Sequence, residues 1–321
     1  MKILFLQTAH SEYDDRVHYH QRACLEQVGH TCAFASSAKG IKDIPDVVIC
    51  DTPRAIQMAR RRFGYKAAVV YDITEWYPSK KNLRNTTRWQ RPIKWCVLAC
   101  VNLYAGWAAD AFIFGEHYKA LPFRILFAWK RSLLLPYYPL LRYVQASKPT
   151  SLSHEVRLFY AGKRTLEKGF FRAQQVAKIC QSLLPDRNVE FTAIDGLSFE
   201  DFCREITCHD FFLDLRSADA ENTRCLPIKL FYYMAAGRPV IYSDLKAIRR
   251  GVHEIVDDSL VKPTDLECAA KMICALVEQP ERYKMICERN RHLIENKYNW
   301  DLQNDDFVRF ITNLSRNVRT C

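Results

Sequence analysis

Basic side chains cluster where one predicted strand gives way to a helix. Gly162 is followed by Lys163 and Arg164, and Lys168 and Gly169 then open the next helical pattern. Free backbone N–H groups, the positive end of a helix dipole and flexible ammonium groups together suit a diphosphate. The stretch matches neither GxxxxGK[ST] nor GxGxxG, so it belongs to neither of these phosphate-binding loop types. The alternative is a loop that is basic without binding an anion.

A polar stretch follows another predicted strand, FFLDLRS, and leads into a helix. Glu221, Asn222 and Thr223 lie in this stretch, where side chains at the carboxyl end of a strand can hydrogen-bond sugar hydroxyls. Lys229 lies about one turn inside the helix, from which an ammonium group can reach a phosphate. These residue types indicate a site for a sugar and its phosphates. The alternative is an ordinary loop with a helix cap.

Charged and polar residues also follow strands in the N-terminal half of the chain. Thr74 and Glu75 end the strand predicted near 67–73, and Glu75 there could position or deprotonate an acceptor hydroxyl. Asp15 and Arg16 follow the loop after the first strand, and we expect them to face the same region. The alternative role of Glu75 is to cap the next helix.

Strands and helices alternate along the chain, which predicts parallel sheets covered by helices on both faces. At 321 residues, two α/β domains are expected rather than one. The stretch 136–155 contains three prolines and a tail rich in Ser, Thr and Lys, and it is predicted to be a linker. We therefore predict an N-terminal domain at 1–145, a C-terminal domain at 155–298 and a terminal helix at 299–321.

The formal net charge of +11 implies an anionic partner. Between Glu75 and Asp110 there is no acidic residue, and six Lys and Arg side chains are interleaved with tryptophan and tyrosine. The apolar run at 95–109 is shorter than the ~20 residues that a membrane span requires. Together these features predict docking onto an anionic membrane surface. The alternatives are a buried helix after a solvated basic loop, and a nucleic-acid binder, for which no recognised motif is present.

Cysteine usage indicates the compartment and argues against a structural metal. The thirteen cysteines are scattered singly, without a CxxC pair or a Cys/His cluster that has metal-ligand spacing. The apolar run at 1–6 is too short for a signal peptide. We expect reduced thiols and a cytoplasmic protein.

Four stretches resemble, in order, the motifs of one enzyme family. DDRVHYHQRACLEQVGHTC at 14–32 is similar to a first helix D-x-R-V…L…G-H, and FYAGKRTLEKG at 159–169 to a phosphate loop Y-x-G-R-x-x-x-E-K-G. LPIKLFYYMAAGRPVIYSD at 226–244 resembles P-x-K-L-x-E-Y-M-A-A-G-x-P-V-I-x-S-D, and YNWDLQNDDFVRFI at 298–311 resembles a terminal F-x-W helix. Most of the chain is thereby similar to a GT-B glycosyltransferase, specifically glycosyltransferase family 4 and its relatives that build bacterial surface polysaccharides.

This resemblance implies two Rossmann-like parallel-sheet domains that face each other across a cleft. The first would bind the acceptor, the second the nucleotide sugar, and the C-terminal helix would pack back on the first. The resemblance also implies a retaining transfer that needs no cofactor and no metal, in which Lys163 and Lys168 match the positions that stabilise the leaving diphosphate. Tyr232 stands where the family has the acid that holds the nucleotide ribose, and Thr74 stands in place of the histidine of the D-x-H-E stretch.

The sequence therefore predicts a cytoplasmic glycosyltransferase, peripherally associated with the inner face of the cell membrane. It would move a sugar from a nucleoside-diphosphate sugar to a glycan or lipid-linked acceptor in cell-surface polysaccharide biosynthesis. The residues assigned to catalysis are Glu75, Lys163 and Lys168; those assigned to the donor are Glu221, Asn222, Thr223, Lys229 and Tyr232; those assigned to the acceptor side are Asp15, Arg16 and Thr74. Two alternatives stay open: a catalytically degenerate binding or scaffold subunit, which Tyr232 and Thr74 favour, and a nucleotide-sugar epimerase.

Overall fold

The chain folds into two compact units, each with its own parallel sheet. The computed structural model describes residues 1–7, 16–73, 78, 83, 86–146, 152–219 and 222–318. The first unit comprises Met1–Tyr137 together with Gln303–Cys321, and the second comprises Tyr138–Leu302. The prediction of an α/β protein with two parallel sheets is confirmed.

The first unit is built on a six-stranded sheet. Its elements up to Tyr137 are, in order, β1 Lys2–Leu6, α1 Arg16–Gln27, β2 Thr31–Ala35, β3 Val47–Cys50, α2 Pro53–Phe63, β4 Ala68–Ile73, α3 Arg91–Ala108, β5 Ala111–Phe114, α4 His117–Leu126 and β6 Arg131–Leu134. The strand order is β2-β1-β3-β4-β5-β6, with every neighbouring pair parallel. The strands β3, β4 and β5 are buried at every residue, as continuous apolar strands are when helices cover both faces of a sheet.

Local signals explain where α2 begins and ends. Thr52 precedes the helix, and its hydroxyl oxygen accepts a hydrogen bond from the backbone N–H of Ala55 at 3.2 Å. Pro53 occupies the first turn, where a missing N–H costs nothing. Gly64 follows the last residue with φ +59°, a conformation that glycine adopts without strain.

The second unit is built on a five-stranded sheet. Its elements are β7 Glu155–Ala161, α5 Phe170–Leu183, β8 Asn188–Ile194, α6 Phe199–Glu205, β9 Phe211–Asp214, α7 Ile228–Ala235, β10 Val240–Ser243, α8 Lys246–Gly251, α9 Val256–Ser259, β11 Leu260–Val261, α10 Leu266–Glu278 and α11 Pro280–Asn296. The strand order is β11-β10-β9-β7-β8, all parallel. The chain places β8 on one side of β7 and then crosses over to place β9 on the other. The direction in which successive strands are added to the sheet therefore reverses between β7 and β9. The position between these two strands is the topological switch point of the sheet.

The terminal helix α12, Asn304–Val318, belongs to the first unit and packs against α1. The thiol of Cys24 donates a hydrogen bond to the side-chain oxygen of Asn304 at 2.7 Å. The side chains of Phe307 and Ile311 are buried and lie on the same face of this helix. This contact joins the last helix of the chain to the first.

A search of the described helices for a membrane-spanning segment found none with the necessary length and apolarity.

Candidate functional site

The two loops that the sequence analysis identified lie beside each other at the switch point of the second sheet. The loop 162–169 follows β7, the loop 215–227 follows β9, and the two strands are paired neighbours. Because parallel strands end at the same edge, both loops border the position where open α/β sheets bind ligands. The sequence predicted each loop, and the strand order brings them together.

The loop 162–169 is held in a closed turn by a buried tyrosine. The hydroxyl of Tyr160, at the end of β7, donates to the carbonyl oxygen of Lys163 at 2.9 Å and lies 3.2 Å from that of Lys168. The backbone N–H of Lys168 also donates to the hydroxyl of Thr165 at 3.3 Å. Burial raises the pKa of Tyr160, so its hydroxyl keeps the proton that it donates. The two lysines predicted to contact a diphosphate are therefore the two ends of one rigid turn.

Lys229 reaches the same loop from α7, as the sequence predicted for a phosphate-contacting residue. Its ammonium group donates a hydrogen bond to the carbonyl oxygen of Ala161, the last residue of β7. The neighbouring residue is Gly162, with φ +141°, and a Cβ atom there would lie 2.7 Å from the Lys229 nitrogen. Glycine at 162 thus admits the ammonium group to the edge of the sheet.

Electrostatic interactions connect Lys229 to its surroundings. Burial lowers the pKa of Lys229; the Asp214 carboxylate opposes this shift, and the positive charges of Arg216 and Lys168 add to it. The ammonium groups of Lys168 and Lys229 therefore lie close enough to repel each other. An anion placed between them would relieve that repulsion, which is the arrangement expected of a phosphate site.

Gly169 brings the start of α5 against the backbone that follows β9. It has φ +84°, and a Cβ atom on it would lie 2.3 Å from the carbonyl carbon and oxygen of Leu215. The guanidinium of Arg172 donates to the carbonyl oxygens of Leu166, at 3.3 Å, and Leu215, at 3.1 Å. Because the residue before α5 is a glycine, the N-terminus of this helix has no side-chain cap, and its positive dipole end lies at the switch point.

We expect Gly169→Ala to lower the free energy of unfolding by roughly 2 to 4 kcal/mol, because it adds both backbone strain and overlap with the Leu215 backbone. The measurement is the urea midpoint of unfolding. Gly196→Ala is the matched control, since Gly196 has φ +75° and nothing within 4 Å of its Cβ position. Its loss should be limited to about 1 kcal/mol of strain. Equal losses in the two variants would contradict the close approach at Gly169.

The polar loop after β9 is held together by its own side chains. The side-chain amide of Asn222 donates to the hydroxyl of Ser217 at 3.1 Å and to the carboxylate of Asp219 at 3.0 Å. Asp219 also accepts from the backbone N–H of Asn222 and from the hydroxyl of Ser217. The hydroxyl of Thr223 accepts from the backbone N–H of Lys246 at 3.4 Å. Asn222 and Thr223, both predicted to bind the donor, thus shape this loop.

An ion pair that the sequence analysis missed joins the last residue of β9 to the loop that follows it. The guanidinium of Arg216 donates to both oxygens of Asp214, at 2.9 and 2.6 Å, and Tyr242 donates to the same carboxylate at 2.8 Å. The hydroxyl of Ser243 donates to the carbonyl oxygen of Arg216 at 2.6 Å. The signal was local: residues two apart share one face of an extended strand, and FFLDLRS has opposite charges at that spacing.

Burial and charge oppose each other at this pair. Burial alone would raise the pKa of Asp214, but Arg216, Lys229 and Tyr242 hold it below its ordinary value. Asp214 raises the pKa of Arg216 against the effect of burial. The carboxylate is therefore ionised and close enough to Lys229 to help that lysine to keep its proton.

Tyr232, which stands where the resemblance implies a ribose-binding acid, lies in the apolar core of the second unit. Only 5% of it is exposed, and its ring packs against Phe199 at 5.5 Å and Phe202 at 5.9 Å. The next residue, Tyr233, stacks on Phe212 at 4.3 Å. The assignment of Tyr232 to the donor stays a prediction.

The first unit contains a buried polar cluster at the ends of β1 and β4 that the sequence analysis also missed. The side-chain amide of Gln21 donates to Asp72 at 2.8 Å, and the ring nitrogen Nε2 of His18 lies 3.4 Å from the same carboxylate oxygen. Gln7 contacts Nδ1 of His18 at 2.6 Å, and Tyr137 donates to Asp72 at 3.4 Å. The spacing of His18 and Gln21 on α1 was the available local signal.

Several predicted residues lie outside the described part of the chain. These are Asp15, Thr74, Glu75 and Glu221. Arg16 is described by its backbone alone, as the first residue of α1. Their roles stay predictions, as do those of Lys163, Lys168 and Lys229.

No protein-family model and no curated protein matches the sequence, but solved structures match it over nearly its whole length. Sucrose-phosphate synthase from Thermosynechococcus elongatus superposes with a TM-score of 0.66 at 11% identity, covering 100% of this chain and 99% of that one. The Anabaena protein HepE, in complex with UDP-glucose, superposes with a TM-score of 0.68 at 13% identity, covering 98% and 100%. WaaG, a glycosyltransferase involved in lipopolysaccharide biosynthesis, superposes with a TM-score of 0.63 at 12% identity, covering 96% and 98%.

These likenesses agree with two all-parallel sheets and a helical C-terminus. The narrower placement in glycosyltransferase family 4 stays a prediction. What the comparisons and the sheet topology show together is that this chain has the fold of the GT-B glycosyltransferases.

Proposed function

We propose that the chain is a glycosyltransferase that takes its sugar from a nucleoside-diphosphate sugar, with a UDP-sugar as the first candidate. The observation that carries this proposal is that Lys229 interacts with Lys168 beside the start of α5, on the loop that also carries Lys163. HepE was solved with UDP-glucose and a Staphylococcus aureus TarM variant with UDP, which supports uracil as the base.

In the proposed reaction, the bond between the sugar C1 and the β-phosphate oxygen breaks and the acceptor hydroxyl oxygen bonds to C1. The proton of that hydroxyl passes to the departing diphosphate, so the products are the glycoside and UDP. The loop lysines stabilise the charge that develops on the diphosphate, because the backbone that carries them is held in place before the bond breaks. Lys229 is positioned by one hydrogen bond to Ala161, and its ammonium group has two further protons to direct at phosphate oxygens.

We also propose the finer features that the resemblance implies. The transfer retains the anomeric configuration and needs no metal, since cationic side chains and a helix terminus supply the positive charge. The acceptor is a glycan or a lipid-linked hydroxyl in cell-surface polysaccharide biosynthesis, and Glu75 with Asp15, Arg16 and Thr74 would serve that side.

A donor panel tests the proposal most directly. At about 100 times its dissociation constant, the correct nucleotide sugar should add about 2.7 kcal/mol to the stability of the protein and raise Tm by roughly 5 to 10 °C. The panel comprises UDP-, GDP-, ADP- and dTDP-sugars, with the free nucleoside and the free sugar as controls. A Tm that does not move with any nucleotide sugar would contradict the proposal.

A scaffold without transfer activity is the second candidate, and the burial of Tyr232 favours it. A phenol packed between Phe199 and Phe202 cannot accept hydrogen bonds from two ribose hydroxyls as a carboxylate does. Binding of a nucleotide sugar without release of UDP, in the presence of a membrane extract as acceptor source, would identify the scaffold. Interconversion of donor sugars without an acceptor would instead identify an epimerase.

A further inference from the structure

The helix α3 of the first unit exposes apolar side chains over most of its length. Along 91–101, which the structure describes in full, every residue is exposed or half-buried, although the stretch includes Ile93, Trp95 and Val97. The buried residues of α3 all lie between Asn102 and Ala108. A helix of a globular protein ordinarily buries one apolar stripe along its whole length. The first three turns of α3 therefore present their apolar side chains to the surroundings.

Tryptophan is concentrated in the part of the sequence that contains α3 and α4. Five of the six tryptophans of the chain lie between positions 76 and 129. Trp89, Trp107 and Trp129 are 90%, 62% and 73% exposed, whereas Trp300, in the second unit, is fully buried. Tryptophan is enriched where an apolar phase meets water, because its ring is apolar and its N–H is polar. Exposed tryptophans grouped in this way mark a surface for contact with another phase or molecule.

The helix α4 continues the same surface. A Cβ atom on Gly106 would lie 2.5 Å from the ring of Phe127, so the end of α3 is in close contact with the segment that follows α4. Lys130 donates to the carbonyl oxygens of Gly106, at 2.9 Å, and of Trp107, which brings Trp129 to the same end of α3. Leu121, Ile125 and Leu126 on α4 are also exposed. We call the exposed side chains of 89–107 and 121–129 the α3–α4 face.

The charge of this region selects the partner. Between 86 and 131, all of which the structure describes, there are seven Lys and Arg residues and two acidic residues, so this part of the first unit carries an excess of positive charge. Both acidic residues are paired: Asp110 with Arg60 at 2.7 Å, and Glu116 with Lys119 at 3.2 Å. A second copy of the chain docking by the same face would bring two positive surfaces together, which opposes self-association. An anionic partner would be attracted.

We propose that the α3–α4 face docks the protein onto an anionic lipid bilayer. The tryptophans would lie at the level of the headgroups, and Arg88, Arg91 and Arg124 would contact lipid phosphates. Aliphatic side chains on two helices fit the upper acyl region, whereas a single-stranded nucleic acid would use aromatic rings and cations without them. The biological role of the docking rests on the proposed function: it would bring a lipid-linked acceptor to the enzyme. Docking itself requires no donor and no transfer.

Vesicle flotation of the full chain tests this docking. Wild type should float with vesicles of phosphatidylcholine containing about 30% phosphatidylglycerol, bind pure phosphatidylcholine at least tenfold more weakly, and be released as NaCl is raised. The double variant Arg88→Gln/Arg91→Gln should bind the anionic vesicles about 30-fold more weakly, and Trp107→Ala/Trp129→Ala at least about tenfold more weakly. All four side chains are exposed, so thermal unfolding should not change.

Matched controls separate this face from general effects of charge and apolarity. Tyr19→Ala removes an exposed aromatic ring from α1 of the same unit, and Lys271→Gln/Lys284→Gln removes two exposed charges from the second unit. Each should bind the anionic vesicles within about twofold of wild type.

Four results would overturn the proposal: no binding to vesicles, equal binding to neutral and anionic vesicles, tighter binding to a nucleic-acid duplex at the same salt concentration, or a dimer that Trp107→Ala/Trp129→Ala dissociates. The donor panel is run without vesicles. Vesicle binding without a donor shift would thus refute the transferase alone, and a donor shift without vesicle binding would refute the docking alone.

Discussion

Replacing Lys168 by alanine is expected to lower kcat about 100- to 1,000-fold, while the free energy of unfolding changes by less than about 1 kcal/mol. The loss of turnover follows from removing a fixed positive charge from the point where charge develops on the leaving diphosphate. Stability is retained because the contacts that hold the loop are made to the backbone of Lys163 and Lys168, which the substitution keeps. The measurement is release of the nucleoside diphosphate from the donor that the thermal panel identifies, together with thermal unfolding.

Arg164→Ala is the matched control, because it removes another cation from the same loop. The guanidinium of Arg164 is directed away from Lys229: it donates to the carbonyl oxygen of Ala193, at the end of β8, and lies over the ring of Phe170. We expect its kcat to stay within about threefold of wild type. Wild-type turnover in Lys168→Ala, or an equal loss in Arg164→Ala, would refute the assignment of Lys168 to the diphosphate.

Replacing Arg216 by alanine is expected to cost about 3 to 5 kcal/mol of unfolding free energy at neutral pH. Asp214 is 2% exposed, and the substitution removes the guanidinium that bonds to both of its oxygens. The hydrogen bond from Tyr242 and the more distant charge of Lys229 would then be left to compensate a buried carboxylate. The loss is measured from the urea midpoint at which the second unit unfolds. If the two units unfold in one transition, the midpoint of that transition is used.

The pH dependence of this loss has a defined sign. In the wild type the pKa of Asp214 lies below its unfolded value, so its stabilising contribution is present above the unfolded pKa and is lost as pH falls through the folded pKa. Without Arg216, burial would raise the pKa of Asp214, and acid would relieve the penalty by protonating it. The destabilisation caused by Arg216→Ala should therefore be smaller at about pH 5 than at about pH 7.

Two variants check that the effect belongs to the buried pair. Arg204→Ala breaks an exposed ion pair with Asp201 in the same unit and should change stability by less than about 1 kcal/mol. The double variant Asp214→Asn/Arg216→Ala removes the uncompensated charge and should be more stable than Arg216→Ala alone. A loss that is independent of pH, or one that the double variant does not reduce, would show that packing rather than charge is responsible.

The parts of the site that the sequence predicted are those set by neighbours along the chain. A strand, a glycine, basic residues and a second glycine before a helix specify the loop 162–169, and Lys229 follows from its place in the first turn of α7. The missed pair of Asp214 and Arg216 is equally local. It was overlooked because charges inside an apolar strand suggest solvent exposure unless both partners are considered together.

Other features depend on contacts between residues far apart in sequence. The cluster around Asp72 needs α1 to lie over the end of β4, so that Gln21 meets a carboxylate 51 positions away. The position of Tyr232 in the core depends on which side of α7 faces α6, and the rings of Phe199 and Phe202 decide it. The sequence also left α3 open between a buried helix and a surface one, because an apolar run is compatible with both.

The sequence by itself determined the alternation of strands and helices, the basic glycine loop and the excess of positive charge, because each depends on residue types and their spacing along the chain. Only the tertiary structure decided that β7 lies between β8 and β9, and this order brings the two loops, Lys229 and the start of α5 to one switch point. It also decided that the first turns of α3 leave Ile93, Trp95 and Val97 uncovered. The physical reason is the same in both cases: strand order and helix burial are outcomes of packing between distant segments, and local patterns do not encode them.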